Sequence, residues 1–105
     1  MYKIALVCEN GASTGIVVRK MQAAAKDKGI EAEIHAYPFG QMEDFVDTQD
    51  YILLGPQLAF KKATALEKFP QAANKLAVIN TIDFGMMRGE KILTEAIAAI
   101  DKNRG

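Results

Sequence analysis

Cys8 is the only cysteine in this chain of 105 residues. It closes the apolar run Ile4-Ala5-Leu6-Val7-Cys8, directly before Glu9-Asn10-Gly11-Ala12-Ser13-Thr14-Gly15. Backbone N–H groups in a glycine-containing loop and at a helix N-terminus form a site for an anion. The same partial positive charge favours the thiolate, the nucleophilic form of a cysteine. A thiol at the mouth of such a loop can attack a phosphoryl group, and the loop then holds the phosphate gained. This chemistry needs a sulfur that reaches solvent at the rim of the loop. The competing reading is a small buried hydrophobe ending a strand. The Gly/Ser/Thr loop running straight into a helix favours the reactive thiol.

Other uses of such a loop fail on named residues. Tyrosine-phosphatase-type chemistry needs an Arg six positions after the cysteine, where Thr14 stands; Arg19 lies more than a turn further on. Without a guanidinium to clamp the transition state, hydrolysis is disfavoured and a relay of neutral donors is favoured. A Walker loop needs Gly-Lys-Ser/Thr, but Gly15 is followed by Ile16-Val17. The dinucleotide fingerprint needs a third glycine beyond Gly11 and Gly15. A thioredoxin-like site needs a second cysteine, and a receiver domain needs an Asp where Leu54-Gly55 stands. A flavodoxin-like or receiver-like binding module with a packed cysteine stays open as the alternative.

The composition sets the frame. Thirteen Lys+Arg against thirteen Asp+Glu give zero formal charge, leaving no basic excess for the phosphate contacts of a nucleic-acid binder. One cysteine forms no internal disulfide, and the longest apolar stretches, about five residues, fall far below the ~20 that span a bilayer. With Met1-Tyr2-Lys3 running directly into a strand pattern and no signal-peptide design, the expectation is a cytoplasmic protein without membrane insertion, residues 1–105 forming one domain.

The elements that position Cys8 follow from periodicity. From Ser13, the apolar residues Val17, Val18, Met21, Ala24 and Ala25 lie on one helix face, with Ser13 or Thr14 as cap and Gly29 as terminator. Ile30 to Tyr37 alternates, with Ile30, Ala32, Ile34 and Ala36 on one side and Glu31, Glu33, His35 and Tyr37 on the wet side of an edge strand. Pro38-Phe39-Gly40 breaks it, and a short helix is predicted over 41–46. Tyr51-Ile52-Leu53-Leu54 is apolar throughout and reads as a central strand. Gly55-Pro56 opens a helix with Ala59, Ala63 and Leu66 inward, ending at Phe69-Pro70. Leu76 to Ile79 is the fourth strand. The last helix, from about Gly89 to Lys102, turns Ile92, Leu93, Ala96, Ile97 and Ile100 inward.

Strand and helix alternate, which implies an α/β fold with right-handed parallel crossovers. Strands one and three lack a polar face, so the order 2-1-3-4 places both inside an open four-stranded sheet with helices on both faces. Its switch point lies between strands one and three, where ligands of open α/β sheets bind. Cys8 and Gly55 end those two strands.

Cys8-x-x-Gly11-x-Ser13-Thr14 after an apolar strand resembles the phosphocysteine loop of enzyme IIB of the lactose/cellobiose (lactose/chitobiose) class of the bacterial sugar phosphotransferase system. Tyr51-Ile52-Leu53-Leu54-Gly55-Pro56-Gln57-Leu58-Ala59-Phe60 and Ile79-Asn80-Thr81-Ile82-Asp83-Phe84-Gly85-Met86-Met87-Arg88-Gly89 resemble two further segments of that class, in order and spacing. The resemblance implies a phosphocarrier. Cys8 would accept a phosphoryl group from a phosphohistidine of enzyme IIA and pass it to a sugar, expected to be a β-linked disaccharide, held by membrane enzyme IIC. Glu9, Asn10, Gly11, Ala12, Ser13, Thr14 and Gly15 would form the phosphate-binding loop. The resemblance implies no metal and no cofactor.

Three positions depart from the family pattern. Glu9 stands where a small or weakly polar residue is expected, and its carboxylate opposes charge on the neighbouring sulfur; strand alternation can point it away. Asn80 and Phe84 stand where the family often has Asp and Tyr, and no role is assigned to either. His35 reads as a surface residue. Met86-Met87 is either a soft docking surface or core packing at the head of the last helix. Lys61-Lys62 and Arg19-Lys20 read as solvated helix faces, and Gln57 as a support for the Cys8 loop.

Overall fold

The computed structural model describes residues 1–9 and 12–105, and of residues 12 and 13 only the backbone. Four strands, β1 (Tyr2–Cys8), β2 (Ala32–Pro38), β3 (Tyr51–Leu54) and β4 (Leu76–Val78), form one parallel sheet in the order β2-β1-β3-β4. The helices are α1 (Ala12–Asp27), α2 (Met42–Phe45), α3 (Lys62–Lys68), α4 (Thr81–Gly85) and α5 (Gly89–Arg104). Short 3₁₀ segments cover Phe39–Gln41, Pro56–Lys61 and Pro70–Ala72.

Alternation along β1 builds both cores. Ile4 and Leu6 pack with Val17 and Met21 of α1 and with Leu93 and Ala96 of α5 on one face. Ala5 and Val7 pack with Met42 and Phe45 of α2, Leu58 and Ala65 on the other. A strand segment covered on both faces must be apolar, which is why Ile4–Cys8 of β1 and Ile52–Leu54 of β3 sit inside. Each fully buried Ile, Leu or Val here contributes about 1.5–3 kcal/mol through its removal from water.

Helix α1 stops because Gly29 takes the left-handed conformation, at φ 68°. The Ile30 N–H donates to the Ala25 carbonyl at 2.8 Å and the Gly29 N–H to the Lys26 carbonyl at 3.1 Å. This pair of bonds satisfies carbonyls that the helix end leaves open. Ile30 then packs beside Ala25 in the same core, and the chain turns into β2.

Two burial assignments differ from the sequence reading. In β2, Ile34 is buried and His35 exposed, but Ala36 is exposed and Tyr37 half-buried. The Tyr37 ring stacks on Phe45 at 4.4 Å between centroids, because α2 covers that face near the strand's end. After β3, Leu58 and Ala65 are buried with Leu66 half-buried, whereas Ala59 and Ala63 are exposed. Residues 56–61 wind as a 3₁₀ helix with three residues per turn, so the inward face shifts from that of a continuous α-helix. Ser13 and Thr14 lie inside the first turn of α1, so neither is its cap; the capping position falls outside the described residues.

Candidate functional site

The carboxyl ends of the three neighbouring strands finish level with one another. Cys8 pairs in register with Pro38 of β2, and Val7 with Leu54 of β3. The Gly55 N–H continues the ladder by donating to the Val7 carbonyl at 2.9 Å. The rim at the switch point is therefore built from Cys8 and Glu9, Phe39, and the Gly55–Lys61 segment. Helix α1 begins at Ala12, within four residues of Cys8. The first N–H groups of a helix lack intrahelical acceptors and carry its positive dipole end.

Cys8 follows Ile4 and Leu6 in alternation, so its side chain is on the α1/α5 face. It is 3 % exposed, rather than standing open at the rim as the sequence reading requires. Of the other expected loop residues, Asn10 and Gly11 lie outside the described residues, as do the side chains of Ala12 and Ser13. Thr14 is buried. Gly15 is half-buried, and among the described residues a Cβ there would meet Arg19 Nη1 alone, at 3.9 Å.

Glu9 is not isolated. Its Oε1 accepts a hydrogen bond from Lys61 Nζ at 2.8 Å, so Lys61 is no plain solvated lysine. Its ammonium also stands 4.9 Å from the centroid of Phe39 and 5.7 Å from that of Phe60. The pair joins residues fifty-two positions apart, and no local pattern announces it. Gln57 is exposed and folds back on its own turn: a Cβ on Gly55 would lie 2.9 Å from its amide.

Beyond β4, Asn80 caps α4. Its Oδ1 accepts from the N–H groups of Ile82 at 2.8 Å and Asp83 at 3.1 Å. Asp83 is a buried carboxylate that accepts from Lys91 Nζ at 3.1 Å and Arg88 Nη1 at 3.4 Å. Sequence reading missed both roles, although Asn before a short polar turn is itself a capping signal. Met86 is exposed, while Met87 packs against the α1/α5 core with φ 53°. The doublet thus divides between surface and core.

Residues 3–95 match the family of lactose/cellobiose-specific IIB subunits of the phosphotransferase system (PTS). The chain belongs to that family. The cellobiose-specific EIIB component of Lactococcus lactis subsp. lactis is 41 % identical over 98 residues, covering 89 % of this chain and 91 % of the relative. The galactose-specific EIIB component of Lactococcus lactis subsp. cremoris is 40 % identical over 98 residues with the same two coverages, 89 % and 91 %. The solution structure of the cellobiose-specific IIB component from Borrelia burgdorferi superimposes with a TM-score of 0.81 at 39 % identity, covering 96 % of this chain and 93 % of that one. The protein is thus a IIB phosphotransferase, a phosphocarrier that works through a cysteine, and the flavodoxin-like and receiver-like alternatives are set aside. IIB subunits operate between the IIA and IIC components of the PTS. Among the described residues, no helix is long and apolar enough to cross a membrane.

Proposed function

We propose that Cys8 takes a phosphoryl group from a phosphohistidine of enzyme IIA and delivers it to a sugar bound by membrane enzyme IIC. The whole chain, residues 1–105, acts as one IIB domain on the cytoplasmic side. The observation that carries this reading is the position of the chain's one cysteine, at the end of β1, at the switch point and directly ahead of α1. Its sulfur is covered in this state, so the transfer requires Cys8 to be uncovered when the donor docks. The thiolate attacks phosphorus in line; the S–P bond forms as the N–P bond breaks, and the imidazole leaves with the electron pair. In the second step a sugar hydroxyl attacks phosphorus, its proton passes to a base at the acceptor site, and sulfur leaves as thiolate.

The loop Glu9–Gly15 and the first turn of α1 serve as the phosphate cradle in this reading. Their neutral backbone donors favour passing the group on over trapping it. A β-linked disaccharide is the proposed sugar, supported by the likeness to a cellobiose-specific EIIB component.

Intact-mass measurement after incubation with phosphorylated IIA tests the carrier. A gain of one phosphoryl group that is absent in Cys8→Ser is expected. No gain, or a gain that survives Cys8→Ser, overturns the reading. Phosphorylation of cellobiose by membranes containing the matching IIC tests the sugar.

A further inference from the structure

Strand register brings the short helix α4 to the same end and the same face of the sheet as Cys8. Val7, Leu54 and Val78 are in-register partners across β1, β3 and β4, so Ile79 stands level with Cys8 and Gly55 lies between them. Neighbouring strands are about 4.8 Å apart, which puts the exit of β4 about 10 Å from that of β1. Ile79 just ahead of α4, Phe84 within it and Met87 just after it all pack against the α1/α5 core. That is the face on which alternation along β1 places Cys8.

With those residues turned inward, Ile82 and Met86 are left one helical turn apart on the outer side, 63 % and 64 % exposed. The turn that presents them is fixed at both ends. Asn80 caps it through the Ile82 and Asp83 N–H groups, and the buried Asp83 carboxylate binds Arg88 and Lys91. Arg88 Nη2 also donates to Met86 Sδ at 3.3 Å, so the cations are continuous with the apolar pair. The Arg88 and Lys91 side chains are exposed while their shared carboxylate is sunk, and Glu90 between them is turned to Lys28 at 3.5 Å. The surface around Ile82 and Met86 is therefore positive. Phe60 is also exposed, but its turn packs through Leu58 on the opposite face.

We propose that the outer face of α4, Ile82 and Met86 with the Arg88 and Lys91 cations beside them, is the docking surface for phosphorylated IIA. The inference rests on the phosphocysteine reading of Cys8. Charge selects this occupant over sugar-loaded IIC: the donor arrives carrying a phosphoryl dianion and leaves without it, whereas the acceptor offers a neutral sugar hydroxyl. At physiological salt, screening sets in over about 8–10 Å, comparable to the distance between the β1 and β4 exits. The positive surface therefore holds the donor more tightly before transfer than after it. Burial of Ile82 and Met86 supplies affinity that does not depend on phosphorylation.

Phosphoryl transfer from phosphorylated IIA to the full chain, followed by intact mass over a range of donor concentrations, tests this. Ile82→Ser and Met86→Gln should each raise the half-saturating donor concentration about 5-fold. The rate at saturation should change by less than about 2-fold, because neither side chain touches the reacting atoms. Calorimetry in a Cys8→Ser background, which takes no phosphate, reads docking by itself. There phosphorylated IIA should bind more tightly than unphosphorylated IIA, and Arg88→Gln or Lys91→Gln, each leaving Asp83 one cation, should cut that preference about 2-fold. Unchanged half-saturation in both apolar variants overturns the proposal while leaving the carrier intact. So does a loss confined to transfer from the phosphorylated chain to IIC-bound sugar, or a loss that sedimentation traces to the break-up of a dimer of this chain. A preference that both charge variants leave untouched overturns the selection of the phosphorylated donor. Failure of the unchanged chain to gain phosphate overturns the carrier reading itself, and the calorimetry still reports whether Ile82 and Met86 bind IIA.

Discussion

A methyl group placed on Gly89 would lie 2.6 Å from Lys20 Cβ and 2.8 Å from the Lys20 carbonyl carbon and the Met21 nitrogen. The amino end of α5 thus meets α1 in backbone contact, and the obstacle includes main chain, which cannot swing aside. Glycine is otherwise a poor choice for a helix, so its presence here is set by packing. Gly89→Ala should destabilise the fold by about 2–3 kcal/mol through overpacking, lowering Tm by roughly 10 °C or more. A thermal melt unchanged from the parent chain would show that the two helices part without cost.

Gly29 is the opposite case. Among the described residues nothing lies within 4 Å of where its Cβ would stand, but its φ is 68°. The expected cost of Gly29→Ala is therefore conformational alone, about 1 kcal/mol. Gly29→Asn should lose less, because Asn tolerates the left-handed region. Urea midpoints of the two variants check the ranking.

Asn80 caps α4 through two backbone N–H groups. Asn80→Ala should cost about 1 kcal/mol, whereas Asn80→Asp should hold stability near the parent value, since Asp caps equally well. Denaturant titration distinguishes the two. Equal losses would mean that the side chain matters for something other than accepting those bonds.

Burial holds the Tyr51 phenol above its ordinary value of 10.0, with the Glu95 charge acting in the same direction. The folded chain therefore keeps this proton longer than the unfolded chain does. Stability from this source is complete below pH 10 and is lost as pH rises through the raised folded value. Tyr51→Phe should flatten the fall in stability above pH 10, as read from urea midpoints across pH 9 to 11. Tyr2, raised chiefly by its hydrogen bond to Asp101, keeps its own share of the decline in that variant.

The sheet order was legible because β1 from Ile4 to Cys8 and β3 show no alternating polar face, and a run without one must be covered on both faces. The edge position of β2 was legible in its alternation. Tyr37 was misplaced because its burial depends on α2 folding back over the strand's end, a tertiary event that alternation does not encode. The inward face after Gly55 shifted because 3₁₀ and α winding differ in phase, and both begin equally well after Gly-Pro. At the site, Cys8 and its loop could be read from residue type and order. The Lys61–Glu9 pair could not, because it arises only once the exits of β1 and β3 stand side by side. The depth of Cys8 was likewise hidden, since exposure belongs to the whole surface and not to a motif.

At the far pole of the sheet, Arg104 donates to the Met1 carbonyl at 2.8 Å and to Asp50, just ahead of β3, at 3.1 Å. Met1 and the carboxyl end of α5 are thereby fastened together, below the strand starts and a full strand length from the sulfur. A purification tag, a fluorophore or a second protein joined at either terminus would extend away from the phosphate-handling rim, so the chain can be tethered, labelled or fused at its ends with that rim left clear.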